Sequence, residues 1–257
     1  MFSKLFCCFN DEKQDGFKKL KIVGKGSFGL VLVGQDVRSN SKVAIKKPCP
    51  NAYSKNMLKN EFLILMKLDH KNIIKPLDFH DDMMILPYYK QDILNMLANR
   101  KLLFGDYEIH LFMKAIASAV KYLHDKNIVH MDIKPDNILM NDDISKCVLC
   151  DFGGSKIEDE IDPKNAVGTE LYAAPELFSN WERKTNFPIG KPVDIYALGT
   201  TVYTLMTGEP IPREDPTATI KKLHCSSMLK NLLIGMLQVE PENRMTIDDI
   251  LKHPFMK

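Results

Sequence analysis

The sequence lacks any apolar run of about eighteen residues, the length that a transmembrane helix needs, so no membrane-spanning helix is predicted. It also lacks a strong net charge: +2 over 257 residues gives no electrostatic reason to expect direct nucleic-acid binding. Internal repeats and low-complexity tracts are absent as well. With 45% apolar and 26% charged residues, the composition predicts a globular chain that can form one large domain or two lobes.

The sequence also lacks the two C-x-x-C motifs that are typical of a structural zinc site. The single C-x-x-C pair, Cys147 and Cys150, encloses Val148 and Leu149, which are typical of a strand, so zinc is not expected there. Reduced thiols predict an intracellular protein of the cytoplasm or nucleus. The six positions are Cys7, Cys8, Cys49, Cys147, Cys150 and Cys225.

The first ten residues, MFSKLFCCFN, are too short for a secretory signal peptide and have no small-residue cleavage site. Phe2 occupies the position at which N-myristoylation requires glycine. Two interpretations stay open. Cys7 and Cys8 carry palmitoyl groups that contact a membrane, or the segment is an apolar arm that packs on the domain or on a partner.

Strand-type alternation dominates the first third of the chain, and helical periodicity dominates the rest. Residues 17–49 predict three strands around a glycine cluster, residues 55–68 predict a helix, and Met83 to Leu86 predict a short strand. Further helices are predicted over 92–100, 106–125, 193–207, 227–237 and 246–252, the last one with a capping box formed by Thr246 and Asp249.

This order of elements predicts an α+β fold with two lobes. We expect residues 1–16 to form an N-terminal arm, residues 17–88 a β-rich lobe and residues 89–257 an α-helical lobe. The hinge between the lobes is expected near Pro87–Lys90. The oligomeric state is not determined by any of these patterns.

A glycine-rich stretch from Gly24 to Val31 has the pattern G-x-G-x-x-G-x-V. A Rossmann turn has the same glycine spacing, and so would glycines in an ordinary hairpin. Here the stretch lies between two predicted strands and not before a helix. That context favours a lid whose backbone amides approach phosphate groups.

Val43-Ala44-Ile45-Lys46 predicts a strand that ends in a lysine. A lone lysine on a strand is by default a solvated surface residue. Glu61 lies fifteen residues further on, inside the predicted helix, where its carboxylate could hold the ammonium group of Lys46 against phosphates.

The stretch from His130 to Asn137, HMDIKPDN, is followed by Asp151-Phe152-Gly153. Carboxylates, a lysine and an asparagine at this spacing can assemble a phosphoryl-transfer site. Asp132 would orient a nucleophilic hydroxyl, and Asn137 with Asp151 would supply the oxygen ligands that Mg²⁺ prefers.

Together these motifs resemble those of the eukaryotic-type protein kinases, over residues 17 to 257. Gly168-Thr169-Glu-Leu-Tyr-Ala-Ala-Pro175-Glu176 is similar to the end of an activation segment, and Asp194 is similar to the aspartate that holds the catalytic-loop backbone. Arg244 occupies the position of the arginine that the family pairs with the glutamate of Ala-Pro-Glu, here Glu176. The resemblance implies a bilobal kinase fold.

The resemblance also implies ATP and Mg²⁺ as cofactors. By this resemblance, Lys46 would contact the α- and β-phosphates and Glu61 would anchor Lys46. Lys134 would neutralise charge on the γ-phosphate, and Asn137 and Asp151 would bind the metal. Val31 and Ala44 would cover adenine from above and Leu139 from below, with Leu86 as gatekeeper. The remaining ATP-binding positions would be Gly24, Lys25, Gly26, Ser27, Phe28, Gly29 and Tyr88.

Two features imply a serine/threonine kinase within the family. Lys134-Pro135 follows Asp132, and Gly168-Thr169 precedes the Ala-Pro-Glu motif. We expect the Thr169 hydroxyl to bind Asp132 and Lys134 on the substrate side of the site and not to accept phosphate.

Met131 departs from the family, whose arginine at this position pairs with a phosphate on the activation segment. A thioether cannot form that pair. The sequence therefore predicts a kinase that needs no activation-loop phosphorylation. The alternative, an inactive pseudokinase, conflicts with the presence of every catalytic group.

Asp92 and Asp136 occupy positions that bind an upstream arginine of the substrate in basic-directed relatives, while the third such position is Thr204. Together with the acidic loop at 158–162, these positions predict protein substrates with basic residues before the acceptor. The competing interpretation is that Asp92 binds the ribose of ATP and that the acidic residues of the loop are merely solvated.

The small size and Met131 also resemble compact kinases of large DNA viruses, of the baculovirus type. That resemblance would imply an arginine-rich substrate and the host nucleus. Two other classes stay open: a small-molecule kinase, against which Ala174-Pro175-Glu176 and Arg244 argue, and a scaffold that works by binding.

Overall fold

The computed structural model describes residues 16–26, 29–100, 103–163, 168–177 and 189–257. The predicted N-terminal arm, with Cys7 and Cys8, lies outside the described residues except for Gly16. The predicted ATP-binding residues Ser27 and Phe28 also lie outside them. Contacts divide the chain into two compact units. Unit 1 comprises Met1–Leu68 and Ile74–Tyr89, and unit 2 comprises Asp69–Ile73 and Lys90–Lys257.

Unit 1 contains a five-stranded antiparallel sheet of order β1-β2-β3-β5-β4, with one helix. Its core face carries six apolar side chains, because alternate residues of neighbouring strands point to the same side. These six residues are Phe17, Leu32, Val43, Ile45, Met83 and Ile85. The elements are β1 (Phe17–Gly26), β2 (Gly29–Asp36), β3 (Lys42–Pro48), α1 (Ala52–Met66), β4 (Asp78–His80) and β5 (Met83–Pro87).

Helix α1 begins after Asn51, whose side chain accepts a hydrogen bond from the backbone N–H of Ser54. Its buried side recurs at Ser54, Leu58, Glu61 and Leu65, the spacing of one helical face. A carboxylate in that buried stripe needs a partner, since an unpaired buried charge is costly.

Unit 2 is mainly helical and contains two small sheets, of order β6-β8-β9 and β10-β7. Helix α3 supplies much of its core, and ten of its side chains are buried. The strands are β6 (Gln91–Asp92), β7 (Ile128–Val129), β8 (Ile138–Met140), β9 (Val148–Leu149) and β10 (Lys156–Ile157). The helices are α2 (Ile93–Arg100), α3 (Asp106–Asp125), α4 (Pro192–Thr207), α5 (Pro216–Lys221), α6 (Ser227–Met236) and α7 (Ile247–Lys252).

The sequence predicted most of these elements. The three strands of residues 17–49 are present, and α3 has the predicted bounds. The capping box is confirmed: Thr246 N–H donates to Asp249 at 2.9 Å, and Asp249 N–H donates to the Thr246 hydroxyl at 3.2 Å. No prediction covered α5 or the two-residue strands β6, β7 and β10, which are too short for a periodic pattern.

The prediction that Val148 and Leu149 lie in a strand is also confirmed. Burial raises the pKa of the neighbouring Cys147 thiol to about 12, so this cysteine remains protonated at neutral pH. In the described part of the chain, no helix combines the length and apolar character that crossing a bilayer requires.

Candidate active site

The glycine-rich stretch connects β1 and β2, which pair from Gly24 opposite Val31 to Gly26 opposite Gly29. The element that follows is a strand, so the Rossmann interpretation does not apply. A Cβ at Gly29 would lie 2.0 Å from the Lys47 carbonyl oxygen. Only glycine therefore fits at position 29, where the backbone of β2 lies close to the backbone of β3.

Lys46 on β3 and Glu61 on α1 form a bidentate ion pair. The Nζ of Lys46 lies 2.9 Å from Oε1 and 2.7 Å from Oε2 of Glu61. The lysine side chain is 22% exposed and the glutamate side chain 4%. The buried carboxylate thus fixes the position of the lysine ammonium group.

The predicted adenine residues of unit 1 share a face of the sheet with Lys46. Val31 pairs with Lys46, and Ala44 pairs with Leu86, in antiparallel registers that place opposite side chains on the same side. All of these side chains are partly exposed and lie on the side away from the core face. Tyr88 is also partly exposed, and the Lys42 ammonium lies 3.7 Å from its ring centre.

In unit 2, the carboxylate of Asp132 is held by three side chains. Thr169 donates its hydroxyl to Oδ1 at 2.7 Å, while Lys134 Nζ at 2.7 Å and Asn137 Nδ2 at 3.0 Å approach Oδ2. Lys134 also donates to the Thr169 hydroxyl at 2.5 Å. The expected bonds of Thr169 to Asp132 and Lys134 are therefore present, and they fix the orientation of Asp132.

Asn137 and Asp151 lie on paired segments. Strand β8 begins after Asn137, β9 ends before Cys150, and the Cys150 N–H donates to the Asn137 carbonyl at 2.9 Å. The Asn137 amide nitrogen donates to Asp132, so the amide oxygen is the atom that can accept a cation. Leu139, the adenine residue predicted for unit 2, lies on β8 and is partly exposed.

These two oxygen-bearing side chains suit Mg²⁺, which is usually bound by one or two protein ligands together with phosphate oxygens and water. Asp151 has a left-handed backbone, with φ of 61° and ψ of 74°. Such a conformation is costly for a residue other than glycine and persists where surrounding contacts impose it. Among the described residues there is no cluster of three or more His, Cys, Asp or Glu that would form an all-protein metal cage.

Asp194 at the start of α4 organises the backbone that carries Asp132. Its Oδ2 accepts the His130 N–H at 2.9 Å and its Oδ1 accepts the Met131 N–H at 2.9 Å. His124 Nε2 lies 3.0 Å from the same buried carboxylate. The role of Asp194 was expected; that of His124 was not, because one histidine in a long helix gives no distinguishing signal.

Met131 itself is buried, with 3% of its surface exposed, and has a φ of +73°. Its thioether therefore lies in the interior of unit 2 and does not occupy the surface as a charged arginine would. Nothing at this position can pair with a phosphate.

The predicted substrate residues Asp92 and Asp136 interact electrostatically. The Asp136 side chain is exposed, but partial desolvation raises its pKa; the charges of Asp92 and Asp132 also raise this pKa, and the charge of Lys134 lowers it. Asp92 caps α2, accepting the Asn95 N–H at 2.7 Å. Thr204, in α4, is buried and donates its hydroxyl to the Thr200 carbonyl oxygen at 3.1 Å, so it is not an open substrate contact.

Glu176 and Arg244 form the expected pair, fully inside unit 2. Arg244 contacts the carboxylate through Nη1 at 2.8 Å and Nη2 at 3.1 Å. Its remaining donors bind the carbonyl oxygens of Pro192, Gln238 and Val239. This pair fixes the end of the segment that carries Thr169 to the helical core.

Sequence reasoning missed a second network, formed by Asn127, Glu158 and Lys191. The Glu158 carboxylate accepts the Lys191 N–H at 2.9 Å and lies 3.0 Å from its ammonium group. No motif marks these residues, which come from three distant parts of the chain. Only the tertiary structure brings them together.

This chain is similar to known proteins of one family. The protein kinase domain family matches residues 17–256. Relatives include the ovarian-specific serine/threonine-protein kinase Lok of Drosophila melanogaster, 32% identical over 91% of this chain and 55% of its own. Another is the carbon catabolite-derepressing protein kinase of Candida tropicalis, 31% identical over 94% of this chain and 41% of its own.

The chain thus spans about half, or less, of the length of these relatives. The fold is also that of a crystal structure of a kinase domain, with a TM-score of 0.80, 19% identity and coverage of 94% of this chain and 95% of that one. The predicted α+β bilobal kinase fold is therefore confirmed. By its sequence motifs, its fold and the match over residues 17–256, the chain belongs to the protein kinase domain family.

Proposed function

We propose that this protein is a serine/threonine protein kinase that transfers the γ-phosphate of ATP, with Mg²⁺, to protein hydroxyls. The observation that carries the proposal is the contact set of Asp132 with Lys134, Thr169 and Asn137. Asp132 would orient the acceptor hydroxyl, Lys134 would neutralise charge on the γ-phosphate, and Asn137 with Asp151 would bind Mg²⁺. Lys46 would bind the other phosphates of ATP. The magnesium ion would supply charge neutralisation.

The first test is transfer of labelled γ-phosphate from Mg·ATP by bacterially produced protein, beside Asp132→Asn. We expect phosphorylation of a serine peptide by the parent and none by the variant. ATP binding without transfer by either protein would contradict the proposal and favour the scaffold class. Transfer to a small alcohol but to no peptide would favour a small-molecule kinase.

We further propose that activity does not require phosphorylation of the activation segment. The hydroxyls between Asp151 and Glu176 belong only to Ser155, Thr169 and Tyr172. Ser155 and Tyr172 are buried, and Thr169 is bonded to Asp132. Since Met131 offers no charge, phosphate at these sites would have no arginine partner at that position. Treatment with phosphatase should leave the rate unchanged; a lost rate would refute this.

We also propose that the protein prefers basic substrates, and that Asp136 and Asp92 bind an arginine that precedes the acceptor residue. Mutual repulsion between carboxylates is relieved when a guanidinium group binds beside them. Replacing the arginines of a peptide by alanine should raise KM for the parent but not for Asp136→Asn. Equal KM values for both peptides on the parent would instead support the ribose interpretation of Asp92. A viral origin and a nuclear location stay predictions from resemblance alone.

A further inference from the structure

The segment that follows Asp151 is tied to the start of the catalytic loop. Strands β10 and β7 pair antiparallel, with Lys156 opposite Val129 and Ile157 opposite Ile128. The next residue, Glu158, donates its N–H to the Asn127 carbonyl at 2.8 Å. A short 3₁₀ turn, Glu158–Glu160, begins at this point. The backbone contacts alone place Glu158 beside the end of α3.

The Glu158 side chain adds a charged contact to a third element. One of its oxygens accepts the Lys191 N–H at 2.9 Å, and the other lies 3.0 Å from Lys191 Nζ. That ammonium also donates to Asn127 Oδ1 at 2.6 Å. A Cβ at Gly190 would come within 2.5 Å of the same carboxylate, so glycine permits this approach. We call Asn127, Glu158 and Lys191 the segment anchor.

The segment anchor connects the two loops that carry the proposed catalytic groups of unit 2. Asn127 precedes β7, which leads directly to His130 and Asp132. Lys191 precedes α4, whose Asp194 binds the amides of His130 and Met131. Glu158 follows Asp151 by seven residues. We therefore expect that displacement of Glu158 disturbs the placement of Asp151 and of Asp132.

We infer that Lys191 and Asn127 are positioning residues, which hold the activation segment in its working conformation by binding Glu158. A carboxylate built into the chain thus takes the place of a phosphate, and a lysine at the start of α4 takes the place of the arginine absent at position 131. This inference rests on the proposed kinase function. It explains how that function can operate without a phosphorylated segment.

The test compares Lys191→Met with Lys191→Arg and with the parent. Loss of the ammonium should lower kcat about tenfold, an effect of the size expected from slight misplacement of reacting groups. The KM for peptide should change little, because Lys191 is not proposed to touch substrate. Arginine keeps the charge and should restore most of kcat. Lys146→Met, which removes the exposed pair with Asp143, is the matched control and should retain the parent rate.

Hydrogen exchange supplies a readout that does not depend on activity. In Lys191→Met the amides of residues 156–160 should exchange faster than in the parent, whereas the amides of α3 should not change. Unchanged exchange and unchanged kcat in Lys191→Met, with an active parent, would overturn the inference alone. An inactive parent would overturn the proposed function, and the exchange comparison would still decide whether the anchor holds the segment.

Discussion

Two lysine–glutamate pairs in this protein differ in their environment and in whether the sequence predicts them. Lys46 and Glu61 are 22% and 4% exposed, and a strand motif followed by a helix predicted them. Lys191 and Glu158 are 33% and 28% exposed, and no pattern predicted them. Both glutamates are bound at two points, the first by one ammonium group and the second by an ammonium group and an amide. In our proposals, the first pair prepares a cation to bind phosphate, and the second pair holds the activation segment.

Similar ion-pair chemistry should therefore have different effects on activity in the two pairs. A group that contacts substrate contributes directly to stabilising the transition state. A group that positions a segment contributes only through the placement of others. Substitutions in the two pairs should therefore differ in size and in the kinetic constant that they change.

The largest expected effect follows removal of the Lys46 charge. Lys46→Met should lower kcat/KM about a hundred- to thousandfold, because a preorganised cation at the phosphates is lost. Steady-state kinetics with saturating peptide and varied ATP measure this. A loss no larger than that of Lys191→Met would contradict the distinction between the two pairs. Lys55→Met, which removes an exposed ion pair with Asp82 in the same unit, is a suitable control.

A third pair extends the comparison to stability. Glu176→Gln leaves Arg244 charged and buried among backbone carbonyls, so we expect a loss of about 3–5 kcal/mol in the free energy of unfolding. Urea denaturation measures this loss. Asp143→Asn, which breaks an exposed pair with Lys146, should cost at most about 1 kcal/mol. Equal losses in the two variants would show that burial does not govern the energetics of these pairs.

The smallest effect concerns pH. Burial raises the pKa of Glu158, but the hydrogen bonds and charge of Lys191 outweigh this effect, so the pKa lies below its ordinary value of 4.5. A lowered folded-state pKa stabilises the fold above the unfolded-state value, and this contribution disappears as pH falls through the folded-state pKa. The Tm difference between the parent and Glu158→Gln should be constant above pH 4.5 and shrink below it. A difference that grows on acidification would reverse the assigned sign.

Much of the fold could be predicted because its elements carry periodic signals. Helix α3 has the predicted bounds, because apolar residues recur with helical spacing along the whole of this 20-residue helix. Helix α1 was predicted over 55–68 but spans Ala52–Met66, because Asn51 caps it earlier than the apolar pattern indicates. The six residues of α5 are too few for such a pattern.

The candidate site divides in the same way. By itself the sequence determined the order of motifs, the chemical types of Lys46, Asp132, Asn137 and Asp151, and the absence of an arginine at position 131. Those are properties of residues at fixed spacing along the chain. Tertiary structure alone decided that Lys191 meets Glu158 across 33 residues, and that Met131 is buried. Such contacts depend on how distant segments pack, and packing leaves no periodic trace in a single sequence.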